Sequence, residues 1–145
     1  MKYIDIPPAW TLLFVVAAWR ISVIWEIDGF GLRFAGWIII ALSLALMVWA
    51  VLVMSREKTP IFPREEPISL VTAGPFAFSR NPIYLAECTI VVGAAIAFGQ
   101  PIAALLAIPL ALILRTRFIL PEEQRLAATF GKAWEDYARS VNRWI

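Results

Sequence analysis

The stretch FAGWIIIALSLALMVWAVLVM, residues 34–54, decides the fold class of this chain. It carries no charged residue, and it is about as long as the roughly 20 residues that an α-helix needs to cross the hydrocarbon core of a bilayer. A helix is the default conformation inside lipid, because every backbone N–H and C=O group must be paired without help from water. The stretch therefore predicts a transmembrane helix and indicates an integral membrane protein.

The composition of the 145 residues supports this interpretation. Hydrophobic residues make up 61% of the chain, against about 45–50% in an average soluble domain. A domain of this size has too little interior to bury so much apolar surface, and the same excess excludes disorder. The chain has no His and only one Cys, Cys88, so the sequence predicts neither a metal site nor a disulfide. The net charge of +2 is too small to indicate nucleic-acid binding.

Three further apolar segments, at about 9–25, 82–98 and 101–120, extend the pattern. Together with residues 34–54 they predict about four transmembrane helices in a single domain that covers residues 1–145. A long proline-rich loop, residues 55–81, separates the second segment from the third. The residues after Pro121 are mostly polar but keep an apolar stripe at helical spacing, formed by Leu126, Phe130, Trp134, Tyr137 and Val141. The predicted fold is all-α and integral to the membrane, with an amphipathic C-terminal helical arm over 121–145.

The basic residues predict the orientation of this bundle. Eleven Lys and Arg residues lie before the first span, between the second and third spans, at the end of the fourth span or after it, whereas the opposite side holds only Arg33. Basic residues accumulate on the cytoplasmic side of a membrane. We therefore expect both termini, the loop 55–81 and the arm in the cytoplasm, with the inner or plasma membrane as the location in a prokaryote.

The end of the long loop, LVTAGPFAFSRNPIYL over residues 70–85, has the residue types of a ligand site. Asn81 is suited to cap a helix and Pro82 to open it. The free N–H groups of that helix start and the neighbouring Arg80 favour a bound anion or carboxylate, and Tyr84 and Phe76 could cover an aromatic base. An ordered loop before a well-capped helix, with no ligand, is the other interpretation.

A second candidate site lies where the fourth span ends, in RTRFILPEEQRL over residues 115–126. Arg117 could orient an anionic group, because a guanidinium holds a carboxylate or phosphate in a fixed fork. Glu122, one residue after Pro121, could bind a cation or hydroxyl groups. The alternative is a charged helix boundary at the membrane interface, with acids placed favourably in a first helical turn.

Glu87 is the third candidate, because it lies about one turn into the third apolar segment. An acid inside a membrane span is costly, and it indicates function by default. Two structural roles compete with that interpretation. Glu87 could pair with Arg20 of the first span, or it could lie at an interfacial position that water reaches.

Two motifs in sequence order carry a family resemblance. The pattern LVTxGPFxxSRNPxYL over 70–85 is followed by EExxLxxxFG over 122–131, and then by Tyr137 and Val141-x-Arg143-Trp144. This combination resembles the isoprenylcysteine carboxyl methyltransferase and phospholipid methyltransferase superfamily, over roughly residues 34–145. The resemblance implies a membrane-embedded methyltransferase that uses S-adenosylmethionine as its cofactor and takes a lipid or another lipophilic acceptor from the bilayer.

The resemblance also implies which residues form the site. Its cofactor-binding residues would be Leu70, Val71, Gly74, Arg80, Asn81, Pro82, Tyr84, Leu85 and Glu122. Arg117 and Glu122 match the Arg and Glu at the substrate end, so they are the predicted catalytic residues. Asn81 stands where isoprenylcysteine enzymes usually have His, which leaves a carboxylate, an amine and a thiol open as the methyl acceptor.

Two other functions remain open at this point. Membrane reductases that bind a nicotinamide cofactor have a similar C-terminal region, although the acidic pair at Glu122 and Glu123 favours the methyltransferase. A small four-span transporter without enzymatic activity is the other alternative, and Glu87 with Arg20 would suit a cation path through it.

Overall fold

The computed structural model describes residues 6–24, 30–59 and 67–145, and its regular elements there are all helical. The α-helices are α1 (Pro7–Ile24), α2 (Phe30–Arg56), α3 (Pro82–Ala97), α4 (Ala107–Leu114), α5 (Leu120–Phe130) and α6 (Lys132–Ser140). Short 3-10 helices cover Gly74–Ala77 and Pro101–Leu106, and a π-helical turn covers Arg115–Ile119. The predicted all-α fold is thereby confirmed.

Three helical stretches are long and apolar enough to cross a membrane: Pro7–Ile24, Gly31–Arg56 and the continuous run Pro101–Phe130. The third predicted span, α3, is apolar but has 16 residues. At 1.5 Å per residue it measures about 24 Å, less than the roughly 30 Å of a hydrocarbon core. Three spans are therefore long enough on their own, and α3 is a shorter apolar helix between them.

The short helix α3 is the centre of the bundle. α1, α2 and α4 all pack against it, whereas α1 and α2 make little contact with each other. Small residues permit this packing, because a Cβ atom at Gly36 of α2 would collide with the backbone of Ala97, and Gly93 of α3 lies against the same face. The hydroxyl of Ser43 also donates to Thr89 Oγ1 at 2.7 Å between α2 and α3. The result is a cleft between α1 and α2 with α3 as its floor.

The fourth span does not stop at Pro121, where the sequence predicts the start of a separate arm. The N–H of Leu120 donates to the carbonyl of Arg115, five residues earlier, so the helix widens into a π-helical turn just before the proline. A proline clashes with the preceding turn of a regular α-helix and lacks an N–H, and a widened turn accommodates it. The chain changes direction only at Gly131, which has a φ of 51°.

Candidate functional site

A cavity of about 210 Å³ lies where the start of α1, the end of α2 and the start of α3 meet. Its walls differ in character. One wall is apolar and consists of Ile6, Pro7, Pro8, Met47, Val51, Met54, Phe76 and Ile83. The other is polar and consists of Arg80, Asn81, Tyr84, Glu87 and Glu122, next to Pro82. The cavity therefore offers both a surface for hydrocarbon and a set of charged and hydrogen-bonding groups.

A hydrogen bond joins the two sequence motifs at this cavity. The buried Tyr84 of α3 donates its hydroxyl to Glu122 Oε2 of α5 at 3.2 Å. The Tyr84 ring stacks on Phe118, with 6.4 Å between the ring centroids, and Phe118 belongs to the π-helical turn. The wide turn thus supports the tyrosine from below while Glu122 holds its hydroxyl, so both side chains are fixed in the wall.

Next to this pair, two arginines share one carboxylate. Arg143 holds Glu123 through two bonds, from Nε to Oε1 at 2.9 Å and from Nη2 to Oε2 at 2.7 Å, and this pairing raises the pKa of Arg143 above its usual value. Arg80 Nη1 lies 3.3 Å from Glu123 Oε1, and its guanidinium carbon is 5.6 Å from the centre of the Trp134 ring. Two cations on one anion leave an excess positive charge, and Arg80 Nε is buried without a hydrogen-bond partner among the described residues.

The chain after α6 fixes the loop that precedes α3. Asn81 Nδ2 donates to the carbonyl of Arg143 at 3.0 Å, and the N–H of Arg80 donates to the carbonyl of Asn142 at 3.0 Å. Pro82 opens α3 as predicted, but the Asn81 side chain makes no capping hydrogen bond to the helix. The amide of Asn81 binds the returning chain instead, so its role in holding the site together replaces the predicted capping.

The arm also holds the 3-10 helix Gly74–Ala77 in place. Tyr137 of α6 donates its hydroxyl to the carbonyl of Phe76 at 2.8 Å, and burial raises the pKa of Tyr137 to about 12. Gly74 has a φ of 62°, and a Cβ atom there would press on Val53 and Trp49 of α2. The turn is therefore held between α2 and the arm, and it brings Phe76 to the cavity wall.

The predicted site residues fall into two groups. The cavity brings together Arg80, Asn81, Pro82, Tyr84 and Glu122. The residues Leu70, Val71, Gly74, Leu85 and Arg117 are not among those that line it. Val71 packs on Ala50, Met54 and Phe76 and so supports the wall from outside. The Arg117 guanidinium lies over the Trp10 ring of α1, 5.4 Å from its centre.

Glu87 lines the cavity as well, one turn after Tyr84. It is only 2% exposed, and it lies near Thr11 of α1, whose hydroxyl donates to the carbonyl of Pro7 at 3.4 Å. Arg20, which the sequence offered as a partner, lies over the Trp19 ring at 6.0 Å instead. The ion pairs between described residues do not include Glu87.

Sequence reasoning missed the apolar wall and the ion pair beneath the site. Met47, Val51 and Met54 follow one face of α2 at helical spacing, but in a uniformly apolar span no periodicity marks that face. The Glu123–Arg143 pair joins two positions of the quoted motifs, and a contact between them depends on how the chain turns at Gly131.

The chain matches the sequence model of a known protein family. The model of the family described as phospholipid methyltransferase matches residues 32–133, from the start of α2 into α6. The fold is that of an all-helical membrane protein, and the chain belongs to the phospholipid methyltransferase family. Comparison with curated proteins and with solved structures gives no match. The predicted resemblance is confirmed, and a membrane methyltransferase is favoured over the reductase and the transporter.

Proposed function

We propose that this chain transfers a methyl group from S-adenosylmethionine to a lipid acceptor, and that the two meet in the cavity between α1, α2 and α3. The observation that carries the proposal is the hydrogen bond between Tyr84 and Glu122. It brings a phenol from the first motif and a carboxylate from the second together at the cavity, beside Arg80. The family match favours a phospholipid over a prenylated cysteine as the acceptor.

The polar wall fits the chemical groups of S-adenosylmethionine. The molecule has a carboxylate, a positively charged sulfonium and a sugar with hydroxyl groups. Arg80, which has an unpartnered buried Nε, would bind the carboxylate, because a charged hydrogen bond there satisfies an otherwise costly buried donor. Glu122 would lie next to the cationic or hydroxyl-bearing part. When bound, S-adenosylmethionine supplies a methyl group that its sulfonium has already activated.

The protein's task is therefore to hold two molecules in line. Alignment of two reactants can contribute roughly 7–11 kcal/mol toward lowering a barrier. The site is suited to this, because Tyr84 and Glu122 restrain each other and Glu123 holds Arg80 in place. Arg117, over Trp10 at the edge of the bundle, stays a proposed contact for an anionic head group outside the cavity.

The acceptor would enter from the bilayer through the cleft between α1 and α2. Met47 and Val51 line the α2 side of the cavity and Pro8 the α1 side, so acyl chains would meet apolar side chains along this path. Both helices expose large hydrophobic residues on their outer faces, as expected where lipid surrounds them. The hydrocarbon of the acceptor would thus stay in an apolar environment while its head group reaches the polar wall.

Calorimetric titration in detergent tests the cofactor assignment. We expect the protein to bind S-adenosylmethionine and not NADPH. Glu122→Gln should weaken binding by a factor of ten or more, since a hydrogen bond to a charged group contributes on the order of 1.5–3 kcal/mol. Glu135→Gln makes the same change on exposed α6 and should leave affinity unchanged. Tight binding of NADPH would replace the methyltransferase by a reductase.

A further inference from the structure

The two arginines beside Glu123 bind this carboxylate unequally. Arg143 contacts both of its oxygens, at 2.9 and 2.7 Å, whereas the ion pair with Arg80 joins Nη1 to Oε1 at 3.3 Å. The Arg80 guanidinium lies over the Trp134 ring, and its Nε is buried without a hydrogen-bond partner among the described residues. Glu123 is therefore bound mainly by Arg143, and Arg80 keeps a buried donor that this carboxylate does not use.

This unequal division affects what Arg80 can bind. A guanidinium and a carboxylate pair most strongly through two parallel hydrogen bonds, and the side chains of Arg80 and Glu123 are each only 13% exposed. Without the Arg143 side chain, both oxygens of Glu123 would be open to Arg80, and the two residues would form the stronger pair. A carboxylate of the protein and a carboxylate of a ligand would then compete for one guanidinium.

We propose that Arg143 is a positioning residue that occupies Glu123 and so keeps Arg80 available for the carboxylate of the bound ligand. This inference rests on the proposed function, in which Arg80 binds the carboxylate of S-adenosylmethionine. Arg143 also neutralises Glu123 while Arg80 is engaged with the ligand, because a buried carboxylate without a partner is costly. Glu123 and Trp134 keep Arg80 near the cavity, and Arg143 limits how strongly Glu123 binds it.

The side chain of Arg143 can be changed while its backbone contacts stay in place. Its carbonyl accepts hydrogen bonds from Asn81 Nδ2 at 3.0 Å and from the Ser79 hydroxyl at 3.5 Å, and a substitution does not remove that oxygen. The Arg143 side chain is 28% exposed, so a glutamine at this position still reaches water. Arg143→Gln therefore tests the pairing with Glu123 separately from the return of the chain to α3.

Titration of the detergent-purified full chain with two ligands tests the proposal. S-adenosylmethionine and its decarboxylated form share the sulfonium, the sugar and the base, so their affinity ratio measures the contact between Arg80 and the carboxylate. We expect the wild-type protein to prefer S-adenosylmethionine about tenfold, the effect of one charged hydrogen bond. Arg143→Gln should remove most of this preference by weakening S-adenosylmethionine alone. Arg139→Gln removes an arginine from an exposed ion pair of α6 and should change neither affinity.

A second substitution distinguishes competition from a loss of structure. Glu123→Gln removes the competing carboxylate, so Glu123→Gln combined with Arg143→Gln should regain the preference to within about threefold of the wild-type value. A merely structural role of Arg143 predicts the opposite, a double variant at least as impaired as the single one. Arg143→Lys keeps the charge but not the two parallel bonds, and as the milder change it should lose part of the preference. Thermal unfolding shows that each variant is folded.

Four results would overturn the role of Arg143. They are an unselective wild-type protein, a folded Arg143→Gln variant with the wild-type preference, equal weakening of both ligands by that substitution, and a double variant without recovery. Each of these leaves S-adenosylmethionine bound to the wild-type protein, so the proposed function stands. A wild-type protein that binds neither ligand refutes the proposed function itself, together with the role of Arg143.

Discussion

Tyr137 shows how a single hydroxyl group couples the C-terminal arm to the cavity. Its bond to the carbonyl of Phe76 is buried, and Phe76 is part of the cavity wall. A tyrosine in an amphipathic helix is predictable as an apolar contact, and the sequence places it on the arm's apolar stripe. The carbonyl that it binds is not predictable, because backbone groups carry no signature in the sequence.

We expect Tyr137→Phe to lower the free energy of unfolding by about 1–2 kcal/mol. The substitution removes the donor and leaves a buried carbonyl without its partner, while the ring still packs. Thermal unfolding in detergent measures the loss. Thr116→Val is the matched control, because it removes a hydroxyl that bonds within its own exposed helix, and its effect should stay within about 0.5 kcal/mol. Equal stability of the two variants would mean that the Tyr137 bond contributes nothing.

Among the helices, α3 shows how residue size determines which helix lies at the centre of the bundle. Hydropathy predicts this helix and its proline start, but it does not distinguish a lipid-facing helix from a central one. The distinction lies in the small residues, since Ala86, Gly93, Ala94 and Ala95 are buried while large apolar residues of α1 and α2 face outward. Small residues let helices approach closely in membranes. The many small residues of α3 therefore mark it as the central helix, and hydropathy alone does not reveal this.

Gly36→Ala tests this packing. The added Cβ atom would collide with Ala97 and with the carbonyl of Gly93, and backbone atoms cannot move aside cheaply. Overpacking of this kind costs about 1–3 kcal/mol, so the melting temperature in detergent should fall. Gly31→Ala, in the same helix, meets no atom within 4 Å and should melt at the wild-type temperature or slightly above it. A Gly36→Ala variant as stable as Gly31→Ala would contradict the close α2–α3 contact.

The π-helical turn is the element that sequence periodicity could not predict. Pro121 predicts a break, and the structure instead shows one helical run through it. The widened turn absorbs the proline and changes the angular position of every later residue, which brings Glu122 to Tyr84. Wide turns of this kind are rare and are often found at functional positions. The sequence thus predicts Glu122 as a site residue, but it does not predict the wide turn that brings this residue to Tyr84.

For the molecule as a whole, the cavity fixes which helix ends share a side. It takes residues from the start of α1, the end of α2, the start of α3 and the beginning of α5. Neighbouring spans must therefore run in opposite directions, as the sequence predicts from its apolar segments. On this basis we propose that residues 1–145 form one methyltransferase domain. The compartment that this end of the bundle faces is predicted from the distribution of basic residues, which favours the cytoplasm.

Reporter fusions test this topology. A reporter fused after Ile145 should be active in the cytoplasm, and one inserted at Gly31 should report the opposite side, because eleven basic residues lie on the first side and Arg33 on the second. A vector that carries the reporter alone gives the cytoplasmic reference. A fusion after Ile145 that reports the outer compartment would place the cavity away from cytoplasmic S-adenosylmethionine and would remove the proposed supply of methyl donor.

The bond between Asn81 and the carbonyl of Arg143 has a consequence for biosynthesis. The ribosome makes α1 to α4 first, and each helix can enter the bilayer as it emerges. Arg143, which forms an ion pair with Glu123, is synthesised only after α6. During that interval the nascent chain is already embedded in the membrane, but the contacts that Arg143 makes with Glu123 and Asn81 have not yet formed. The protein therefore acquires its place in the membrane earlier than its capacity to act there.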